Sequence, residues 1–178
     1  MKIFLNRFFR AVKLDVSLFQ EIIEDPKTFN QALIVVLIYS MTSSWGTFGR
    51  TGAVGNNIGM ITTLLGWYVW AFSTYMVGAR MMPEAGTEPD RKTILRVIGF
   101  ACAPGIVRIL GFIQGLGLIV IFIALAWMVA AATVGVKQAL NYESTARALG
   151  VCIIGLVISI VFQLIMLVIL FQAFPVSR

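Results

Sequence analysis

This sequence has no histidine, two cysteines and only eight carboxylates among 178 residues. Without histidine or a cysteine cluster, zinc and haem sites have almost no ligands to draw on. A nucleotide-cradling loop of P-loop type is also missing, and no cofactor is expected. Charge of either sign is scarce: Asp, Glu, Lys and Arg make up 12% of the chain, against about 25% in a soluble domain. What fills the space is apolar. Hydrophobic residues reach 59%, mean hydropathy is +0.91, and several stretches sustain the roughly 18 apolar residues of a membrane helix. The chain reads as an integral membrane protein. In a soluble protein the net charge of +6 would suggest nucleic acid. Here no nucleic-acid partner is expected, because basic residues clustered at the ends of spans set topology and meet anionic lipid.

Residues 2–24 carry the first pattern. Lys2, Asn6, Arg10, Lys13, Ser17, Gln20 and Glu24 recur every three or four positions on one helical face. Phe4, Leu5, Phe8, Phe9, Val12, Val16, Phe19, Ile22 and Ile23 fill the other, with Asp15 the one ionised misfit among them. One amphipathic helix is expected over residues 1–25, lying in the headgroup layer with Lys2, Arg7, Arg10 and Lys13 as membrane-surface contacts. The alternative is a helix packed on the cytoplasmic ends of the protein's own spans. Arg7, Arg10, Lys13 and Asp15 interrupt any apolar h-region, so a cleavable signal peptide is not expected here.

Asp25-Pro26 breaks the chain and opens a membrane domain, residues 26–178. Five spans are expected, at roughly 30–48, 58–82, 93–112, 116–136 and 146–174. The stretch "TSSWGTFGRTGAVGNNIG", rich in Gly, Ser, Thr and Asn, reads as loop after the first span. "PEAGTEPDRK" and "IQGLG" are turns, with Asp90 and Ser144 as N-caps of the third and fifth spans. Cys102 and Cys152 fall within spans, as small packing residues rather than a disulfide or metal pair. The fold class is all-α, an integral membrane bundle of five transmembrane helices preceded by an amphipathic interfacial helix. With Arg96 and Arg108 set aside, Lys2, Arg7, Arg10, Lys13, Lys27, Arg80, Arg91, Lys92, Lys137 and Arg147 fall on one side of these spans, and only Arg50 and Arg178 on the other. The positive-inside rule then places the N-terminus in the cytoplasm and the C-terminus outside.

The third span holds "GFACAPGIVRIL", with Arg96 just before it. Proline in a helix interior costs about 3 kcal/mol, and an arginine in hydrocarbon about 2.5–3.5 kcal/mol. Arg96 lies near the cytoplasmic end of the span and Arg108 about 18 Å further along, so both can snorkel. They point about 120° apart around the axis, which argues against one shared ligand. Two accounts of Gly99, Pro104 and Gly105 stay open. One is a kinked helix held by its neighbours. The other is a functional break lining a cavity, with Arg108 as an anion or lipid-headgroup contact. Arg96, Arg108 and Gln163 are the candidate lipid or anion contacts; Gln163 is an amide deep in the most apolar span and needs a partner there. Ser73, Thr74 and Thr133 are polar groups that could join them.

All eight carboxylates fall outside the expected spans, which weighs against proton- or sodium-coupled transport. Ser40, Ser43 and Ser44 have no evident base, and a metal-assisted hydrolase has no motif. Glu84, Glu88 and Asp90 read as solvated turn residues. No catalytic residue is assigned, and an enzyme is not expected.

Several stretches taken in order carry a resemblance: "EDPKTF" before the first span, "RVIGFACAPGIV" in the third, and "WMVAAATVGVKQALNYESTARAL" from the fourth into the fifth. The chain resembles the bacterial branch of the Yip family, the Ypt/Rab-interacting membrane proteins. Gly99, Phe100 and Pro104 look like that family's Gly-aromatic-x-x-x-Pro element. The resemblance implies a five-span helical membrane domain with a cytoplasmic N-terminus, no known catalytic residue, and a prokaryotic cytoplasmic (inner) membrane. "DPKTFNQAL" stands where eukaryotic members carry a Tyr-Gly-Pro element, so a Rab-type GTPase is not expected as partner. The expected role is a scaffold or adaptor acting through membrane lipids or a partner membrane protein, a second copy included. A passive permeation or lipid-translocation pathway near Pro104 and Arg108 is the alternative, and an accessory subunit of a larger complex a third.

Overall fold

The computed structural model describes residues 2–48, 52–84 and 90–174; Arg50, Glu88 and Arg178 lie outside the described residues. Its first segment is two helices, not the one continuous helix expected over 1–25. α1 (Lys2–Val12) ends before Leu14, which takes a φ of 60°, and α2 (Val16–Glu24) follows. The Asp15 carboxylate accepts from the Ser17 N–H at 2.9 Å. The residue that fitted badly inside one helix is the N-cap of the second, where an oxygen acceptor satisfies an orphan donor. Asp25 ends α2, and its carboxylate takes the Lys27 N–H at 2.9 Å.

The chain continues as α3 (Thr28–Phe48) and α4 (Gly52–Tyr75), the latter running into a π-helical turn at Met76–Met81. α5 (Arg91–Ala101), a 3₁₀ helix (Ala103–Phe112), α6 (Gly117–Ala139) and α7 (Thr145–Ala173) complete it, with no strand among the described residues. Ser144 caps α7, its hydroxyl accepting from the Arg147 N–H. Asp90 stands at the N-cap of α5 through its carbonyl, which takes the Thr93 N–H at 2.9 Å, and its side chain makes no cap bond. Gly115 takes a φ of 88° in the turn before α6, where a side chain would be strained.

α3, α6 and α7 are long and apolar enough to cross a membrane, and α5 with the 3₁₀ helix forms a fourth candidate, bent by 41°. α4 is long enough at 24 residues, but Asn56, Asn57, Thr62, Thr63, Ser73 and Thr74 dilute its apolarity.

The stretch expected as loop is helical through Phe48 and again from Gly52. Several of its polar groups bond within the α3–α4 pair. The Ser44 hydroxyl donates to the Asn56 side-chain oxygen at 2.9 Å, and Thr42 and Thr62 bond back to carbonyls of their own helices. Gly59 allows Phe48 and Ser44 to close against α4. Packing has overridden a weak local propensity.

α4 lies against α7 and α3, and the 3₁₀ helix is wedged between α3 and α6. α5 packs on α3, α4 and α6, while α1 rests on the 3₁₀ helix and α5, and α2 on α5 and α6. Leu18, Phe19 and Ile22 of α2 are fully buried, with Ile94, Ile98, Phe100 and Val136 in the same core. The indole N–H of Trp127, ten residues beyond the start of α6 at Gly117, donates to the Val12 carbonyl at 3.0 Å. The α1–α2 pair is therefore docked along the bundle, while Ile3, Leu5 and Phe9 stay exposed on α1.

Candidate functional site

The bent helix builds the site. Pro104 has no N–H to give to an α-ladder, and the ladder ends just before it. The Cys102 N–H bonds to Gly99 and the Gly105 N–H to Cys102, three residues back in each case. A 3₁₀ run of ten residues is long for this conformation, and its neighbours hold it. A Cβ on Gly105 would sit 2.6 Å from both the Met128 sulfur and the Tyr39 ring, and one on Gly99 2.9 Å from the Ala32 Cβ. At Gly46 the backbones of α3 and the 3₁₀ helix touch, because a Cβ there would strike the Arg108 carbonyl.

This close approach places Arg108. Its guanidinium donates to the Tyr39 hydroxyl at 3.0 Å and to Thr47 Oγ1 at 3.4 Å, while its Nε–H has no partner. Arg108 also lines a cavity of about 270 Å³ between α3, α4, α6 and α7. On the facing helices stand Trp67, Thr63, Ser159 and Gln163. Gln163 Nε2 donates to Ser159 Oγ at 3.1 Å, and Ser159 donates to the Gly66 carbonyl at 2.7 Å. The space that a Gly66 side chain would need is occupied by the Gln163 amide. Here is the partner that the amide required: a chain across the α4–α7 seam. Trp70 secures the same seam through its N–H to the Cys152 carbonyl at 3.1 Å. Cys102 and Cys152 are buried and unpaired.

The structure brings Arg108 and Gln163 to one cavity and leaves Arg96 elsewhere. Arg96 is only 5% exposed and donates to the Ile23 carbonyl and Thr93 Oγ1, both at 3.0 Å. It meets the last turn of α2, where the carbonyl end of the helix dipole favours a cation. Gly99, Pro104 and Gly105 do not line the cavity; Pro104 faces a separate apolar groove with Val12, Thr42 and Trp127.

Of the basic residues on α1 and the turn after it, Lys2 and Lys13 are exposed. Arg7 and Arg10 turn toward α2. Arg7 donates to Glu21 at 2.8 Å and to Gln31 at 3.0 Å, and Arg10 to Asp15 at 2.7 Å and to Glu21 at 2.8 Å. The hydrogen bond from Arg10, helped by Ser17, holds the Asp15 carboxyl down at about 2. Burial pushes Glu21 up, but bonds from Arg7 and Arg10 outweigh it and leave that carboxyl below its usual range.

Sequence reasoning missed Tyr39, Trp67 and Ser159. Ser159 could have been found, since it precedes Gln163 by one helical turn on the same face. An aromatic residue inside an apolar span carries no mark of which face it takes.

The Yip1 domain matches residues 16–167 of this chain. No curated protein and no solved structure matches it.

Proposed function

This chain belongs to the Yip1 domain family and is an integral membrane protein, and on that premise we propose that it is a non-enzymatic scaffold or adaptor working through lipids and partner membrane proteins. The surface it offers carries this conclusion. α7 exposes Val157, Val161, Leu164, Ile165, Val168 and Ile169 along its length, and α1 adds Ile3, Leu5 and Phe9 beside exposed Lys2 and Lys13. Apolar side chains flanked by lysines suit the boundary between acyl chains and anionic headgroups.

The membrane domain is proposed to have five spans, with α4 as the second. Thr62, Thr63, Ser73 and Thr74 are buried, whereas Ile61, Leu65, Tyr68 and Phe72 are exposed. Of the polar residues that dilute the helix, these four face protein and leave an apolar side for lipid, while Asn57 stays exposed near the start of the helix. With five spans, the basic residues put the N-terminus in the cytoplasm and the C-terminus outside, in the cytoplasmic membrane of a prokaryote.

Giant vesicles containing the purified protein test the role. Wild type should deform the bilayer or recruit a defined membrane partner, and Phe9→Glu with Ile3→Glu should abolish this. Deformation and partner recovery that are indifferent to α1 would refute it.

One observation favours the alternative, a lipid-translocation pathway: Arg108 and Gln163 share a cavity whose rim includes Leu164, 59% exposed. Movement of fluorescent lipid between leaflets, changed by Arg108→Ala, is its signature.

A further inference from the structure

Two residues that line the cavity, Arg108 and Trp67, carry buried donors without acceptors. Trp67 is 7% exposed and its indole N–H has no partner; the Nε–H of Arg108 is also buried and unpartnered. Both groups can only donate. None of the residues lining the cavity is acidic, so the arginine charge meets no countercharge there. A buried donor left unmade carries a desolvation cost that an acceptor removes, and an apolar surround magnifies the pull of a positive charge on an anion.

We propose that this cavity holds the phosphodiester of an anionic phospholipid, with phosphoryl oxygens accepting from Arg108 and Trp67. Phosphoryl oxygens offer several lone pairs and a negative charge, which suit two unpartnered donors and one cation on residues that line the same cavity. The remaining walls fit a lipid better than free phosphate. Leu156, Ile160, Leu164 and Leu167 of α7, with Ile121 and Leu125 of α6, form the apolar side. The α7 positions follow helical spacing and make a continuous strip. At about 270 Å³ the cavity is near the small end of the range for ligand sites, about 300–1,000 Å³. It takes the phosphate and adjoining glycerol, and the acyl chains leave past exposed Leu164 into the bilayer. Thr63, Ser159 and Gln163 supply the polar surface for the glycerol.

The proposal rests on the membrane reading above, but not on the scaffold role, whose readout is vesicle shape or a partner. The test is lipid retention. The full chain in detergent is offered phosphatidylglycerol or diacylglycerol, repurified, and its bound lipid counted by native mass spectrometry. Phosphatidylglycerol should be retained and diacylglycerol lost. Trp67→Phe, which keeps an aromatic ring and removes the donor, should weaken retention about tenfold. Arg108→Gln should weaken it by about 10- to 100-fold. Should Arg108→Gln not fold, Trp67→Phe decides alone, its folding checked by thermal unfolding. Glu143→Gln, at an exposed position outside the cavity, should leave retention unchanged. The proposal is overturned if both cavity variants retain lipid as wild type does, if diacylglycerol binds equally, or if Glu143→Gln costs as much as they do. Displacement of the lipid by millimolar inorganic phosphate would also overturn it, assigning the donors to a free anion; retention by neither probe would leave water as the occupant.

Discussion

Gly46→Ala should destabilise the protein more than any other single methyl added at a helix contact described above. The new Cβ would clash with the Arg108 carbonyl oxygen and lie 2.8 Å from its carbon and 3.3 Å from the Ile109 Cα. All three are backbone atoms, so no rotamer change relieves the clash. Carbon atoms rest at about 3.5–4.0 Å, so α3 and the 3₁₀ helix would have to part by roughly 1 Å. The reverse side offers no slack, since a Cβ on Gly111 would lie 3.1 Å from the Gly46 carbonyl oxygen. Overpacking costs about 1–3 kcal/mol, and the upper end applies where only backbone can yield. Gly150→Ala in α7 is the matched control: its Cβ meets nothing within 4 Å, and replacing an interior helical glycine gains about 0.5–1 kcal/mol. Thermal unfolding in one detergent reads both. At about 2–4 °C per kcal/mol for a chain of this length, Gly46→Ala should melt about 6–12 °C lower, and Gly150→Ala slightly higher. A Gly46→Ala protein that melts with wild type, or a pair of variants shifting together, would refute the backbone contact.

Asp15 sets a pH limit on the α1–α2 pair. Its carboxyl is lowered from 3.8 to about 2, so the stability it lends is full above pH 4 or so and is lost as pH falls toward about 2. The anisotropy of a fluorophore on α1 should drop across that window and should already be low at neutral pH in Asp15→Asn; a flat profile for wild type would contradict it. Arg96→Gln removes a charge-assisted bond to the Ile23 carbonyl, worth about 1.5–3 kcal/mol, and should lower the melting temperature; an unchanged one would mean that the contact does not anchor α2. Cys102 and Cys152 are fully buried and unpaired, so a permeant maleimide should label neither in the native protein and both after denaturation. Rapid native labelling of either would contradict the packing.

Much of the candidate site could be read from residue types. Arg108 and Gln163 announced themselves because a cation and an amide are costly in an apolar stretch. Pro104 announced an interrupted ladder because it has no N–H to give. Legibility stopped at partners. The hydroxyl that takes Arg108 comes from Tyr39, 69 residues away, and the open indole N–H of Trp67 results from which neighbours fail to reach it. Asp15 shows a middle case. Its charge was visible on the wrong arc, but reading it as a cap required letting one helix become two. The α3–α4 connection was misread because glycine, serine and asparagine usually punctuate helices; here Gly59 and Ser44 instead form a tight helix contact.

Composition and periodicity determined on their own that this chain is helical and belongs in a membrane, because backbone polar groups in hydrocarbon must be satisfied within each segment. They also placed α6 and α7 closely and located the break at Pro104, since these features depend on near neighbours in the chain. The docking of α1 and α2, the inward turn of Arg7, Arg10 and Arg96, and the meeting of Arg108 with Gln163 were decided only by the tertiary structure. Each depends on which helix faces arrive at one place from distant parts of the chain, and local spacing carries no record of that.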